Sequence, residues 1–298
     1  MNDRINNQGI MGIGNGTIKA DQMVAGSHAR IHNAYASPQS SNSTTAEPRG
    51  IVVITIKPVE MSAVVDVFEL TKEKGTQGGP SLFRGTVDSA DGPVDLFAAR
   101  TLEQGQRSMM ATLTHLRQRL NPATFVVLGI GGAIKRGLTI DDVVVTTRVI
   151  YYDLRRETAD GVRHRGEARD APAVITHALN DFFTDHHEPA HLESGTGRFR
   201  VLHGPIGSGD ALVMDEESWI RKFLLNYNEY TLAIDMEAAG LTQFCHETPP
   251  PQPGWLVIRG ISDLADHTKT LDHQQSAARN AAITLRHLIP YLPATKIN

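Results

Sequence analysis

Ionisable side chains recur in this sequence at the points where apolar runs break off. Ile234-Asp235-Met236-Glu237-Ala238-Ala239 sets two carboxylates around a strand-to-helix junction, and Val257-Ile258-Arg259-Gly260-Ile261-Ser262-Asp263 sets Arg, Ser and Asp at the end of an apolar strand. Carboxylates move protons or accept hydrogen bonds from hydroxyls, and Arg fixes their charge. Together these groups suit a polar substrate with hydroxyls and a basic leaving group; the other reading is a structural Arg–Asp pair. Glu60 closes Ile56-Lys57-Pro58-Val59-Glu60, where it either faces a crevice or caps the next helix, a place that favours acidic side chains. Two glycine-rich segments also follow strands. In Gly129-Ile130-Gly131-Gly132-Ala133 the glycines either bring backbone close to a ligand or make a tight turn. Gly204-Pro205-Ile206-Gly207-Ser208-Gly209-Asp210 offers a hydroxyl, a carboxylate and flexible backbone, or simply an Asx-type turn.

These segments need elements to position them. Ile51–Ile56 (IVVITI) is a β-branched run, as expected of a strand buried on both faces. Met61–Leu70 has helical spacing, and Ser81–Val87 and Val94–Ala99 flank Asp91-Gly92 as a hairpin. Gln104–Leu120 is an amphipathic helix stopped by Asn121-Pro122. Further strands are expected at Phe125–Leu128, Val143–Ile150, Phe199–Ile206, Thr231–Ile234 and Trp255–Ile261. Further helices are expected at Ala171–His186, Glu216–Asn226, Met236–His246 and His273–Leu292. Strands alternating with helices predict a single α/β domain, a central mixed sheet with helices on both faces. Ligands of open α/β folds bind at the carboxyl ends of the strands, where the segments above lie.

The chain has 298 residues, 29 Lys+Arg and 33 Asp+Glu, a net charge of −4 that gives no footprint for general nucleic-acid binding. A lone cysteine, Cys245, excludes an intramolecular disulfide and argues against a cysteine zinc site. No apolar run approaches the roughly 20 residues that span a bilayer, and Met1–Asn7 has no apolar core, so a cytoplasmic location is expected. Residues 1–49 contain no Leu, Phe or Trp. Residues 36–49 are expected to be a flexible linker, since they have too little apolar surface to offset ordering entropy. They divide a motif at residues 1–35 from a domain at 50–298.

Taken in order, IVVITIKPVEMSAVV (Ile51–Val65), GIGGAIKRGLTIDDVVVTTRVIYYD (Gly129–Asp153), GPIGSGDALV (Gly204–Val213), AIDMEAA (Ala233–Ala239) and IRGISDLAD (Ile258–Asp266) resemble the nucleoside phosphorylase/nucleosidase superfamily, most of all its methylthioadenosine/S-adenosylhomocysteine nucleosidase branch. The resemblance implies an α/β/α sandwich around a distorted mixed sheet, a homodimer, no cofactor or metal, and cleavage of the N-ribosyl bond of a purine nucleoside or nucleotide. It implies roles as well. Asp263 would protonate the purine at its five-membered-ring nitrogen with Ser262 in support, and Glu60 would be the base toward attacking water. Glu237 would accept ribose hydroxyls beside Met236, and Arg259 would order the water and the carboxylates. Gly131, Gly132, Leu212 and Val213 would face the ligand.

Departures from the family pattern bear on substrate and nucleophile. The phosphorylase branch places an Arg two residues before the glycine of its G-x-x-G turn and a Ser just after it; here Val127 and Ile130 stand there. A phosphate dianion left unpaired would cost on the order of several kcal/mol, so water is expected as nucleophile, with a phosphorylase as the alternative and a nucleotide-binding sensor as the non-enzyme alternative. Leu212 replaces the Phe that usually stacks on the purine, and Asp141 replaces a Gly. Arg155, Arg156, Arg163, Arg165 and Arg169 are interleaved with acids, which reads as a solvated loop or as a clamp for nucleotide phosphates, even those of ATP. Gln8–Ile31 resembles the amyloid-type signalling motifs of bacterial immune effectors, as in antiviral defence, and glycine-punctuated Ile, Val and Asn can stack as cross-β; a disordered tail is the alternative. An assembly partner acting through that motif is the corresponding expectation.

Overall fold

The runs richest in Val and Ile become the middle of a 13-stranded sheet in the computed structural model, which describes residues 50–73, 79–90, 92–195, 197–267 and 271–293. The expected motif at 1–35 and linker at 36–49 lie outside the described residues. In chain order the elements are β1 (Ile51–Thr55), α1 (Pro58–Phe68), β2 (Thr71–Lys72), β3 (Leu82–Ser89), β4 (Gly92–Arg100), α2 (Gln106–Leu120), β5 (Thr124–Ala133), β6 (Val143–Thr146), β7 (Arg148–Tyr151), β8 (Arg155–Thr158), β9 (Gly161–His164), β10 (Glu167–Asp170), α3 (Ala173–His186), β11 (Ala190–Ser194), β12 (Gly197–His203), β13 (Ile206–Ser208), α4 (Trp219–Tyr227), β14 (Ala233–Asp235), α5 (Ala238–Glu247), β15 (Gly254–Asp263) and α6 (Gln274–Leu288). α1 and α3 pack with α6, which lies along β15 and β5; α2 packs on α5, which rests on β7 and β15. The α/β class with a mixed, distorted sheet is therefore as expected, and no described helix is long and apolar enough to cross a membrane.

The distortion has a local cause. One edge of β5 pairs with β1 over Thr124–Val127 and then with β14 at Gly132 and Ala133, in opposite directions, while its other edge carries β15. Leu128 to Gly131 therefore lie between two strand partners, and a cleft opens there.

Several element boundaries correct the sequence reading. Gly129–Ala133 is strand rather than turn, because the glycines continue the pairing with β15. The expected strand Val143–Ile150 is two strands, β6 and β7. The Thr146 hydroxyl accepts from the Arg148 N–H at 2.9 Å and donates to the Arg148 carbonyl at 2.7 Å, satisfying the backbone where the chain changes partners. The expected strand Phe199–Ile206 is interrupted at Gly204-Pro205, since proline has no N–H to give a ladder, and β13 then pairs with β7 and β14. Residues 155–164 of the arginine-rich segment form a hairpin, β8 with β9, whose exposed residues pair Arg155 with Glu157 and Arg163 with Asp160, while Arg169 lies in β10 beside β7. β11 was not anticipated.

Candidate active site

Glu60 sits in the first turn of α1, is 2 % exposed, and fills the interval that β1 and β14 leave beside β5. Its Oε2 accepts from the N–H groups of Ile56 and Lys57, both at 2.7 Å, and its Oε1 from Ile130 at 2.9 Å. The capping and crevice readings thus hold together: helix-start donors fix one oxygen while the other reaches across to an N–H that strand pairing leaves open. Gly129 makes the space. A Cβ there would collide with Glu60 Oε1 and lie 2.5 Å from Arg259 Nη1.

The start of α5 is held by side chains from three other segments. The Asp235 carboxylate accepts from Ala238 at 3.2 Å, the Ser208 Oγ from Ala239 at 3.0 Å, and the Gln106 Oε1 from Gly240. Gln106 Nε2 in turn donates to Ser208 Oγ at 3.1 Å. The donors that every helix start leaves unpaired are thereby satisfied inside the protein. This fixes Glu237, immediately before α5. Its Oε1 accepts from Gly105 at 3.0 Å and its Oε2 from Arg259 Nη2 at 3.1 Å. Gly105 has φ +96°, a conformation natural to glycine, and turns its N–H to Glu237 where α2 begins. Arg259, 1 % exposed, also donates Nε and Nη2 to Asp235 Oδ2 at 2.9 and 2.6 Å. Burial pushes the Glu237 carboxyl up to about 7; Arg259 opposes this and Asp235 adds to it.

Asp263 ends β15, 3 % exposed, just past an irregularity where Ile261 opposes Gly131 but Asp263 opposes Gly132. Such a bulge re-aims the side chains that follow it. The Ser262 hydroxyl donates to Asp263 Oδ2 at 3.0 Å, and the Ala265 N–H donates to Oδ1 at 3.1 Å. Gly132 gives Oδ1 room, since a Cβ there would lie 2.9 Å from it.

The carboxylates of Glu60, Asp235, Glu237 and Asp263 meet on one cleft that opens to solvent. Glu60, Glu237, Met236, Ser262, Asp263, Gly131, Gly132, Leu212 and Val213 are all on its wall. Arg259 is not; it lies buried against Asp235 and Glu237, placed to orient carboxylates. The arginines of residues 155–169 are likewise absent from the wall. Ser208, Gln106 and Gly105 are contributors that the sequence reading did not assign; Ser208 stood in a glycine-rich segment it flagged and Gly105 and Gln106 in an expected helix, but what they hold is set by tertiary contacts alone. The described residues gather no His, Cys, Asp and Glu group suited to a metal ion.

The same fold occurs in the 5′-methylthioadenosine/S-adenosylhomocysteine nucleosidase of Helicobacter pylori, a structure that superposes with a TM-score of 0.66 at 18% identity, over 82% of this chain and 98% of that one. The chain belongs to the phosphorylase superfamily, whose family model matches residues 50–290. Among curated relatives, ATP nucleosidase Cap17 of Escherichia coli (strain KTE188) is 24% identical over 254 residues, covering 78% of this chain and 49% of that protein. The chain thus spans about half the length of that relative. The 5′-methylthioadenosine/S-adenosylhomocysteine nucleosidase of Mycobacterium bovis is 29% identical over 201 residues, 61% of this chain and 75% of that protein.

Proposed function

We propose that the domain hydrolyses the N-ribosyl bond of a purine nucleoside or nucleotide. The observation that carries this reading is the convergence on one cleft of four buried carboxylates, of which Glu60, Glu237 and Asp263 stand in different settings and Asp235 pairs with Arg259. Bond cleavage leaves an oxocarbenium-like ribose and an electron-rich base. Asp263, with its hydroxyl partner Ser262, gives a proton to the five-membered-ring nitrogen of the purine as the bond to C1′ breaks. Water then bonds to C1′ and loses a proton to Glu60. Glu237 accepts the ribose hydroxyls, and its link to Arg259 keeps it aimed.

Water is favoured over phosphate as nucleophile because Val127 is fully buried in the sheet and Ile130 puts an apolar side chain at the cleft. The names of the relatives, nucleosidases for ATP and for methylthioadenosine and S-adenosylhomocysteine, support hydrolysis. The test is to incubate the protein with adenosine, AMP, ATP, methylthioadenosine and S-adenosylhomocysteine and to measure free adenine. Release from at least one of them without added phosphate is expected; release from none removes the proposal.

A second part of the reading concerns residues 1–35, where Ile10, Met11, Ile13, Ile18, Met23, Val24 and Ile31 stand between Gly and polar residues. We propose that identical copies stack in register and gather the catalytic domains, as an effector would require. A peptide of these residues is expected to form β-rich fibrils; one that stays monomeric even when seeded refutes this part and leaves the enzyme intact.

A further inference from the structure

Lys57 is the basic side chain on the cleft wall, alone in this among the described residues. Proton transfer and ribose binding, as described above, make no use of it. Its Nζ lies 3.5 Å from Gln274 Oε1, and it forms no ion pair among the described residues. Gln274 Nε2 is itself a buried donor with no partner among those residues. A cation on the cleft wall and, behind it, a buried amide donor thus keep hydrogen-bonding capacity unspent.

A second groove is lined by the chain neighbours of two cleft residues: Lys57 and Gln104 line the cleft, whereas Pro58 and Glu103 line the groove. Among the described residues its walls carry Lys72, Arg100, Arg107 and His115 against the single carboxylate of Glu103. Lys72, Arg100 and Arg107 form no ion pair among the described residues. Unpaired cations lining a concavity raise the local potential and attract anions. The cleft wall carries Glu60, Asp235, Glu237 and Asp263, with Arg259 buried behind it against Asp235 and Glu237, an arrangement that repels an anionic substrate unless a further cation offsets it.

We propose that Lys57 receives the first phosphate of a purine nucleoside 5′-phosphate, and that the groove of Lys72, Arg100 and Arg107 takes the rest of a 5′-polyphosphate chain. This deepens the hydrolase reading and rests on it: the substrate class becomes the nucleotide, with Lys57 as its specificity determinant. An ammonium forms charge-assisted hydrogen bonds with phosphate oxygens, and cations spaced along a groove match a chain of phosphates.

The test measures kcat/KM for adenosine, AMP and ATP in the wild type, Lys57→Met, Lys57→Arg and the double variant Arg100→Ala/Arg107→Ala, with melting curves to verify folding. The AMP-to-adenosine ratio should exceed one in the wild type, fall about tenfold or more in Lys57→Met, and be largely kept in Lys57→Arg. The double variant should lower the ATP-to-AMP ratio. A wild type that prefers adenosine, or a ratio within twofold of wild type in Lys57→Met, overturns the proposal. So does base release that depends on inorganic phosphate and yields sugar 1-phosphate, for then Lys57 serves the nucleophile. Calorimetric titration with inorganic tripolyphosphate separates this inference from the hydrolase reading. If no purine is cleaved, tripolyphosphate binding that is lost in Lys57→Met still supports the anion site, and absence of binding to the wild type overturns it.

Discussion

Asp235 should matter as much as the residues that touch substrate, and Asp235→Asn shows why. The carboxylate accepts Arg259 Nε and Nη2 on Oδ2 and the Ala238 N–H on both oxygens, all within the buried interior. An amide of the same shape has one accepting atom. Turned toward Arg259, its NH₂ meets the Ala238 N–H; turned the other way, it meets the guanidinium. Removing one partner of a buried ion pair typically costs about 3–5 kcal/mol, and Glu237 still compensates Arg259, so the low end, roughly 3 kcal/mol, is expected. For a domain of this size that is a melting point lower by roughly 6–12 °C. A second effect runs through Glu237. Asp235 is one of the charges that raise its pKa, so losing that charge lowers it. Below pH 7 the variant should keep a larger share of its own maximal kcat/KM than the wild type does. The assay is a melting curve at pH 7.5 with a kcat/KM profile from pH 5 to 9. An unchanged melting point with a superimposable acid limb would refute the claim that Asp235 anchors Arg259 and tunes Glu237.

Asp263→Asn keeps volume but cannot deliver a proton, so base release should fall by ~10²–10⁴-fold with the melting point nearly kept; near-normal turnover would show that the acid lies elsewhere. In the wild type, kcat/KM should drop as pH falls through about 7, because protonating Glu237 removes the charge that accepts the ribose hydroxyls. Glu237→Gln should lower kcat/KM across the range and erase this limb, and a limb that persists in the variant assigns it to another group. Gly129→Ala, whose Cβ would crowd Glu60 and lie 2.5 Å from Arg259 Nη1, should cost roughly tenfold to a hundredfold in activity by displacing both. Unchanged kinetics would mean that the interval beside β5 tolerates a methyl group.

Much of this site was legible because a strand that ends in a cleft leaves a mark in sequence: an apolar run, then charge. That pattern marked Glu60, Glu237, Arg259 and Asp263, although their roles came with the family resemblance. The glycines of β5 left ligand approach and a tight turn both open. GIGGA suggests a turn, yet Gly129 and Gly132 are small because Glu60, Arg259 and Asp263 occupy the space a Cβ would fill. No local pattern shows that, since the partners lie far away in the chain. Ser208 and Gln106 were opaque for the same reason: each acts on the start of α5 through the tertiary fold. The break at Thr147 was hidden by residues whose β propensity is high on both sides, and sheet pairing, not propensity, decides where such a run divides; the break at Gly204-Pro205 was marked in the sequence by the dipeptide itself.

The central claim is that water, activated at Glu60, displaces a purine protonated by Asp263. Reaction in H₂¹⁸O with a cleavable purine substrate, followed by mass spectrometry of the sugar, tests it most directly. One ¹⁸O at C1 of the free sugar, formed without phosphate and reduced in rate together with base release in both Glu60→Gln and Asp263→Asn, is the predicted result. Sugar without the label at C1, or a sugar 1-phosphate as the first product, would contradict it.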